Sequence, residues 1–462
     1  MNKYMYLVKN TGFLALSSFS SRILVFLLVP FYTNVLSTSE YGIFDLASTT
    51  IQLLIPILTL NIYEGVTLFL MSKDSNQKIV VSTGIKFVVL GMIVFSALLF
   101  INKLFNFFSV FQGYELLIFL YFISYLCYQF LVQCAKGFEK VKYMGIAGVI
   151  STLVMVMTNI LFLAIWNIGL TGFFLSYILG QGLAAAYLFL KLHIWKYCTI
   201  KKDLNLQKEL VAYSIPLILN TIGWWINNVS DRYIVTWICG VPINGIYSVS
   251  YKIPSILSTF QAIFTQSWQI SAIKEYGNEG YKKFYAKMLE LINAIVCLMG
   301  IFLIILTKPI AHILYAKDFY VAWKYVPFLL VATVFSAAAG MVGPVLSAKK
   351  ESKALGLSTI VGALTNVILN IILVHFIGAQ GAAIATAISS FLIFGFRYLN
   401  AIKDFEGVNM IRILGVWGVM ILQAIIVILI EAYILQVLLI VLVMLVYKNY
   451  FGQIKEMLKN RR

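Results

Sequence analysis

The sequence predicts an all-α polytopic membrane protein with about fourteen transmembrane helices. Of its 462 residues, 61% are hydrophobic and only 11% carry a formal charge, against about 25% in ordinary soluble domains. The mean hydropathy is +0.91. The apolar runs suit helices of about 20 residues that cross a bilayer, and they are too long for outer-membrane strands of roughly ten residues. A soluble fold is therefore excluded.

Fourteen apolar segments are long enough to span a bilayer. They are predicted over 11–33, 41–66, 79–101, 114–135, 143–166, 170–191, 211–238, 243–270, 284–307, 324–347, 354–376, 380–402, 411–431 and 433–450. Several connections between them are short and turn-like, as at 167–169 and 240–242. Neighbouring spans are therefore expected to run antiparallel.

The basic residues predict the orientation. Lys and Arg number 35 and Asp and Glu 18, so the formal charge is +17. In a soluble protein this excess would favour nucleic-acid binding, but membrane proteins collect basic residues in cytoplasmic loops. With the N-terminus inside, 28 basic residues, Arg397 among them, fall in cytoplasmic segments and four in outside segments. We expect both termini to be cytoplasmic and no nucleic-acid partner.

Two short motifs recur at nearly equal offsets. Glu40–Leu46 opens the second span and Ile243–Val249 opens the eighth, 203 residues later. Ile168–Gly172 opens the sixth span and Ile377–Gly381 the twelfth, 209 residues later. The offsets indicate a six-helix unit used twice, and an even helix number makes the copies parallel repeats, as in some transporters. Coincidence among helix starts rich in small residues is the alternative.

The repeat predicts four segments. They are an N-terminal six-helix lobe over 1–191, a cytoplasmic linker over 192–210, a C-terminal six-helix lobe over 211–403, and two extra transmembrane helices with a basic cytoplasmic tail over 404–462.

Polar side chains recur at helical spacing on the first two spans of each half. The stripes include Asp45, Thr49, Gln52 and Thr59 on the second span, Trp224, Asn227 and Asp231 on the seventh, and Asn244, Ser248 and Lys252 on the eighth. Polar groups within hydrocarbon need partners or water, so the stripes favour a central hydrated cavity between two lobes. Small polar residues that hold helices together are the alternative.

Three basic side chains, Arg22, Arg232 and Lys252, lie inside predicted spans, where a charge costs at least ~2.5 kcal/mol. Pairing with the nearby acids is one explanation. A cationic cavity for an anion is the other, because arginine binds phosphate oxygens in a bidentate manner. The acids Asp231, Asp45 and Glu64 are candidates for coupling to a proton or sodium gradient.

Metal and disulfide chemistry is not expected. Three histidines are scattered along the chain, and five cysteines show no CxxC motif or paired spacing of the kind that binds zinc or builds a disulfide framework. We therefore predict no metal site and no cofactor beyond the coupling ion.

An ordered series of motifs resembles bacterial polysaccharide flippases of the Wzx type. It comprises Leu28–Ser37, Glu40–Ile43, Tyr213–Ile218, Asp231–Ile234, Gly245–Ser248 and Gly378–Thr386. The resemblance covers most of the chain and is weakest over the last two helices. It implies membership of the superfamily of MATE exporters and the lipid II flippase, whose two six-helix lobes form a V-shaped cavity.

The resemblance also implies a function. Such flippases move undecaprenyl-diphosphate-linked oligosaccharides across the bacterial cytoplasmic (inner) membrane, for O-antigen of lipopolysaccharide, capsule or related polymers. Carried over, it assigns the diphosphate to Arg22, Arg232 and Lys252. Gln52, Asn227 and Trp224 are further candidate substrate contacts. The expected partners are the lipid-linked substrate, membrane lipids and other polysaccharide-assembly proteins, and the expected state is a monomer.

Four tryptophans, Trp224, Trp225, Trp237 and Trp268, are candidates for stacking on sugar rings, with interfacial anchoring or core packing as the alternative.

Two alternative functions, a cation antiporter and a polysaccharide polymerase, predict different sequence features. A MATE-type multidrug or cation antiporter would have an acidic cavity, whereas here buried bases and acids balance and Arg22 lies near the middle of its span. A membrane-bound polysaccharide polymerase needs catalytic groups, and the longest outside loop, 308–323, has no paired carboxylates. No nucleophile constellation or phosphate-binding loop occurs elsewhere, so an enzyme is not predicted.

Overall fold

The computed structural model describes residues 23–72, 75–199, 201, 203–430 and 432–448. Within these ranges every regular element is helical, which confirms the predicted fold class. The first part of the chain contains α1 (Val29–Val35), α2 (Thr38–Leu58), α3 (Ile62–Met71), α4 (Gln77–Phe105), α5 (Glu115–Gly137), α6 (Val141–Asn159), α7 (Gly169–Lys191) and α8 (Leu204–Cys239). The second contains α9 (Val241–Ser250), α10 (Pro254–Glu275), α11 (Tyr281–Ile305), α12 (Thr307–Leu314), α13 (Val326–Ala348), α14 (Ser352–Ile377), α15 (Ala379–Ala401), α16 (Met410–Leu429) and α17 (Tyr433–Val446).

Eleven helices in the described part of the chain are long and apolar enough to cross a membrane. They correspond to the second to seventh and ninth to thirteenth predicted spans. The fourteenth is the shorter apolar helix α17. The first predicted span lies mostly outside the described residues, and its described end, Ile23–Val35, is apolar and helical. The chain is therefore a multi-pass membrane protein.

Two predicted spans are wrong as continuous helices. The segment 41–66 divides into α2 and α3, because Leu60 and Asn61 take left-handed backbone angles, φ 53° and 51°. The segment 243–270 divides into α9 and α10 at residues 251–253. Pro254 starts α10, and it has no N–H to donate to the carbonyl of Ser250, which favours a new helix start at this point.

The repeated glycine motif has the same local structure in both copies. Gly169 and Gly378, which are 209 residues apart, both have positive φ, +53° and +63°; Gly169 is the first residue of α7, and Gly378 directly precedes α15. Glycine adopts this conformation without a steric penalty. Gly172 and Gly381 then lie close to the preceding chain. A Cβ on Gly172 would be 2.7 Å from a neighbouring side chain, and one on Gly381 would overlap the backbone of Leu373.

Two compact units divide the chain, Met1–Trp225 and Ile226–Arg462. The division falls within α8, and the lobe, linker and tail boundaries proposed from the repeat stay predictions. Within the second unit, α15 packs against both α13 and α14.

The two C-terminal helices are held to α11 by buried amides. The side chain of Asn293 on α11 accepts a hydrogen bond from the Trp417 indole on α16 at 2.9 Å. It also donates to the Tyr447 hydroxyl at the end of α17, at 3.1 Å. Gln423 on α16 donates to the carbonyl of Ile301 at 3.2 Å. The added helices are thus part of the second compact unit.

An ion cluster joins the ends of several helices in this unit. Lys349, after α13, lies 3.0 Å from Glu351 and 3.0 Å from Asp404. Tyr281 donates to Asp404 at 3.1 Å. Burial by itself would lower the pKa of Lys349, but hydrogen bonds and charge attraction from the two acids raise its pKa above the ordinary value. This cation is therefore neutralised within the protein.

The contact of Gly381 with Leu373 predicts a large effect of a single methyl group. We expect Gly381→Ala to destabilise the protein by about 1–3 kcal/mol, because the backbones of α14 and α15 must move apart. Gly395→Ala on the same helix is the matched control. Its added Cβ meets nothing within 4 Å, and alanine favours a helix by about 0.5–1 kcal/mol. Thermal unfolding in detergent measures both, and equal effects would contradict the packing argument.

Candidate functional site

Asp231 on α8 is the predicted site acid that lies in the second unit. Its side chain is 3% exposed. The Tyr247 hydroxyl donates to Oδ2 at 2.7 Å, and the Tyr251 hydroxyl donates to the same oxygen. The backbone N–H of Arg232 donates to Oδ1 at 2.9 Å. The carboxylate thus has three donors, as a buried charge requires.

Local geometry explains how the two tyrosines reach Asp231. Gly240, with φ +90°, joins α8 to α9, a conformation that favours glycine. Tyr247 and Tyr251 are four residues apart and so lie on one helix face, and their hydroxyls are 3.1 Å apart. Apolar residues including Val235 and Leu329 pack around Tyr247. The pair is therefore fixed beside the acid.

Arg232 belongs to the same cluster. Its guanidinium carbon lies 5.2 Å from the centre of the Tyr251 ring, a cation–π distance. The predicted cation and the predicted acid are thus neighbours. The carboxylate accepts from the backbone N–H of Arg232, and the guanidinium lies over a ring whose hydroxyl donates to the same carboxylate, so the cation and the acid share one cluster.

Lys252 lies in the break between α9 and α10. Its N–H donates to the carbonyl of Val249 at 2.9 Å, and its carbonyl accepts from the Ser255 hydroxyl at 2.6 Å. The break places Lys252 directly after Tyr251 at the end of the buried α9. Lys252 and Arg232 are therefore in one compact unit, whereas Arg22 lies outside the described residues.

In the first unit, the predicted acids lie on different helices. Asp45 is on α2 and is 9% exposed. Glu64 is on α3, where it accepts from Gln133 at 3.0 Å. Gln133 in turn accepts from the Thr67 hydroxyl at 3.0 Å. The break at 59–61 separates the two acids, so the predicted polar stripe over 41–66 is not one continuous helix face.

Other members of that stripe bond within the protein. Thr49 and Thr59 donate to carbonyls four residues earlier, at 2.8 Å and 2.7 Å. Gln52 donates to the Ser48 hydroxyl at 3.3 Å, and that hydroxyl lies 3.2 Å from Tyr121. Of these three, Gln52 has the side chain that extends furthest from its own backbone, and it stays a candidate substrate contact.

The tryptophans differ in access. Trp224 and Trp237 on α8 are 61% and 77% exposed, so each could contact lipid or sugar. The Trp225 indole donates to the carbonyl of Thr49 at 3.0 Å. Trp268 is 2% exposed and donates to the carbonyl of Met341. The suggestion that Trp268 stacks on a sugar is therefore wrong, because its ring is part of the core.

Asn227 is one turn along α8 from Trp224 and is tied to α14. Its amide donates to the carbonyl of Thr359 at 3.2 Å. An added Cβ on Gly362 would lie 3.3 Å from its side-chain oxygen. The predicted contact is thus fixed against a helix that the sequence analysis did not connect to it.

Arg397, which the orientation argument assigns to the cytoplasmic side, is part of a helix and makes three side-chain hydrogen bonds. It lies on α15, where Nε donates to Ser358 at 2.9 Å, Nη1 to the carbonyl of Ala339 at 3.2 Å and Nη2 to Thr359 at 3.4 Å. Its position inside the predicted span 380–402 was the available signal. Tyr247 and Tyr251 carried a weaker signal, their four-residue spacing.

Metal-binding groups are absent from the described part of the chain: no cluster of three or more His, Cys, Asp or Glu side chains could hold an ion. The five cysteines are free thiols. The assignment of Asp231, Asp45 and Glu64 to ion coupling stays a prediction.

The Asp231 cluster predicts energetic coupling between a phenol and the carboxylate. Tyr251→Phe should destabilise the protein by about 1.5–3 kcal/mol, because it removes a hydrogen bond to a buried charge. In the Asp231→Asn background the same change should cost less, giving a coupling of at least about 1 kcal/mol in a double-mutant cycle. Thermal unfolding in detergent measures the four variants.

Tyr325→Phe is the control for the cycle. The Tyr325 ring packs on Tyr247, but its hydroxyl makes no hydrogen bond to a described residue. We expect an effect below about 0.5 kcal/mol. Strict additivity of Tyr251→Phe and Asp231→Asn would show that the pair does not interact.

Solved structures with the same fold are transporters. The lipid II flippase MurJ in an inward closed conformation aligns with a TM-score of 0.71 and 15% identity over 95% of this chain and 98% of that chain. An inward-facing MATE family transporter of the MOP superfamily aligns with a TM-score of 0.69 and 13% identity, over 86% of this chain and 95% of that chain. A MOP superfamily transporter from Pyrococcus furiosus aligns with a TM-score of 0.58 and 15% identity, over 86% of this chain and 96% of that chain. These identities show the fold alone.

No functionally curated protein sequence matches the chain. A family model described as "Polysaccharide biosynthesis protein" matches residues 7–269, more than half of the sequence. The match confirms the resemblance drawn from the motifs between Leu28 and Ser248, whereas the motif Gly378–Thr386 lies outside the matched residues. The chain belongs to the polysaccharide biosynthesis protein family and has the fold of the MOP superfamily transporters.

Proposed function

We propose that this protein is a flippase that moves undecaprenyl-diphosphate-linked oligosaccharide repeat units from the inner to the outer leaflet by alternating access. The observation that carries the proposal is membership of a polysaccharide biosynthesis family on a fold shared with a lipid II flippase. The polymer is O-antigen, capsule or a related polysaccharide. The transport takes place in the bacterial cytoplasmic membrane, with both termini cytoplasmic.

Physical chemistry explains why such a substrate needs a protein. Each sugar hydroxyl that enters hydrocarbon without a hydrogen-bond partner costs several kcal/mol. A polar groove open to lipid hydrates the sugars while the prenyl chain stays in the bilayer. Gln52, Asn227 and the exposed Trp224 are the proposed sugar contacts. The protein needs no bond-making chemistry for this task.

The diphosphate requires cations inside the membrane. Arg232 and Lys252 lie within one compact unit, and Arg22 is the third proposed contact. Because the Arg232 guanidinium lies over Tyr251 in the cluster that contains Asp231, a diphosphate bound to it would interact with the charge of that carboxylate. Substrate binding and the charge state of Asp231 are thus linked in this proposal.

Asp231 is accordingly the first choice for ion coupling, ahead of Asp45 and Glu64. Protonation or sodium binding at Asp231 would neutralise the carboxylate and leave Arg232 available to the substrate phosphate. Other polysaccharide-assembly proteins are proposed partners, and the proposed functional unit is a monomer.

A MATE-type multidrug or cation antiporter is the second candidate, because MATE transporters share the fold. The two candidates differ in the charge of the transported molecule. Proteoliposomes that export a cationic dye but do not move a lipid diphosphate would favour the antiporter.

Flipping in proteoliposomes tests the main proposal. Purified protein is reconstituted with a fluorescent prenyl-diphosphate-linked oligosaccharide, and the fraction accessible to an external lectin is followed over time. Wild-type protein should equilibrate the lipid between leaflets. Arg232→Gln and Lys252→Gln should slow flipping by about tenfold or more, because each removes a charge-assisted contact worth about 1.5–3 kcal/mol.

Lys283→Gln is the matched control, since Lys283 is a surface cation with a 75% exposed side chain, and its flipping rate should be unchanged. Absence of flipping by folded wild-type protein would refute the function. Unchanged rates for both charge-removing variants would refute the cation assignment. An imposed proton or sodium gradient should change the rate in wild type but not in Asp231→Asn.

A further inference from the structure

Arg397 is a cation within a candidate membrane span, Ala379–Asp404. Its guanidinium is partly buried and contacts three neutral oxygens, from Ser358, Thr359 and the backbone of Ala339. It forms no ion pair with a carboxylate of the described residues. A charge within a membrane-spanning segment usually pairs with an opposite charge or faces a water-filled cavity.

Two other cations of the same unit, Lys349 and Arg232, have carboxylates close by. Lys349 lies 3.0 Å from each of two carboxylates, and Arg232 lies next to Asp231 in the sequence and in the cluster. Arg397 has neutral hydrogen-bond acceptors instead. Its positive charge is therefore held in position without being neutralised.

The Arg397 guanidinium has more N–H donors than the three hydrogen bonds use. Arginine carries five N–H groups, and the three hydrogen bonds of Arg397 use one on each nitrogen. One N–H therefore remains on each of Nη1 and Nη2. N–H groups of one planar guanidinium are well suited to donate to phosphate oxygens.

Two glycines on α13 let neighbouring side chains, including that of Arg397, approach this helix closely. A Cβ on Gly343 would lie 3.3 Å from Nη1 of Arg397, closer than most Cβ contacts. One helical turn away, a Cβ on Gly340 would lie 3.4 Å from Nε2 of Gln261 and 3.6 Å from Oγ1 of Thr265. The side chains of α10 thus approach α13 where it has no side chain.

Gln261 and Thr265 add neutral donors to the same region. Neither side chain makes a hydrogen bond to another residue in the described part of the chain, and both are partly exposed. An amide, a hydroxyl and a forked cation are the groups that proteins use to bind phosphate oxygens. The three lie along one face of α13.

We propose that Arg397, Gln261 and Thr265 form an additional binding subsite for the phosphate groups of the lipid-linked substrate. The subsite rests on the proposed function and extends it. It places one phosphate contact where α10, α14 and α15 pack against α13, apart from the Arg232 cluster on α8. Hydrogen bonds to Ser358 and Thr359 fix the guanidinium before the substrate arrives, which reduces the entropy cost of binding.

Direct binding of a short prenyl diphosphate tests the subsite. Full-length protein in nanodiscs of phosphatidylcholine is titrated with farnesyl diphosphate, and farnesol serves as the uncharged ligand. Arg397→Gln should weaken diphosphate binding by about tenfold to a hundredfold and leave farnesol binding unchanged. Arg397→Lys keeps the charge but not the fork, so it should weaken binding by about threefold to tenfold.

Lys403→Gln is the control for net charge, because Lys403 is an exposed cation six residues along the chain, and its affinity should equal that of wild type. Gel filtration and thermal unfolding identify folded variants. Should Arg397→Gln fail to fold, Arg397→Lys and Gln261→Ala still decide the question. Wild-type affinity in the folded variants would overturn the subsite.

Two further arms separate the possible explanations. If wild-type protein itself does not bind farnesyl diphosphate, the proposed function fails and the subsite fails with it. If wild type and Arg397→Gln bind equally well, only the subsite fails. Nanodiscs containing phosphatidylglycerol test the bilayer as the phosphate source. A variant that changes stabilisation by phosphatidylglycerol and leaves farnesyl diphosphate binding intact would overturn the substrate assignment.

Discussion

Hydrocarbon offers no hydrogen bonds, and the structure follows from this constraint. Each polar group within a span must find its partner inside the protein, so the backbone is helical and short polar side chains bond back to it. Thr49 and Thr59 do so through carbonyls of their own helix. Asn293 instead connects three helices, because its amide has both a donor and an acceptor.

The same constraint acts more strongly on charges, and the second unit meets it in three ways. Lys349 at a helix end is paired with two acids. Arg232 combines a neighbouring carboxylate with an aromatic ring. Arg397 has only neutral acceptors among the described residues. The first arrangement stabilises structure, and the second places the cation beside an acid. The third holds the positive charge on neutral acceptors, where a phosphate could bind it. The proposed transport of an anionic headgroup needs a charge of this last kind.

Breaks between helices determine where the charged and polar side chains of the candidate site lie. The turn at Gly240 and the break before Pro254 make α9 a short buried helix, and its tyrosines reach Asp231 for that reason. The left-handed residues Leu60 and Asn61 likewise separate Asp45 from Glu64. Broken helices near a proposed binding site are common in transporters, where irregular backbone is tolerated beside a cavity. Here the breaks decide which polar groups can meet.

Much of the fold could be predicted from the sequence, because membrane insertion depends on hydropathy summed over about 20 residues. The helical class, most span positions, the repeated glycine motif and the family resemblance were all available in this way. Asp231 and Arg232 were also found as unusual charges within a span. The tertiary structure alone decided the partners. Hydropathy carries no information on which helix faces another, so it did not show that Tyr247 and Tyr251 hold Asp231, that Trp268 is buried, or that Arg397 lies between α13 and α14. Those contacts depend on helix rotation and on where the chain breaks, and both are set by packing.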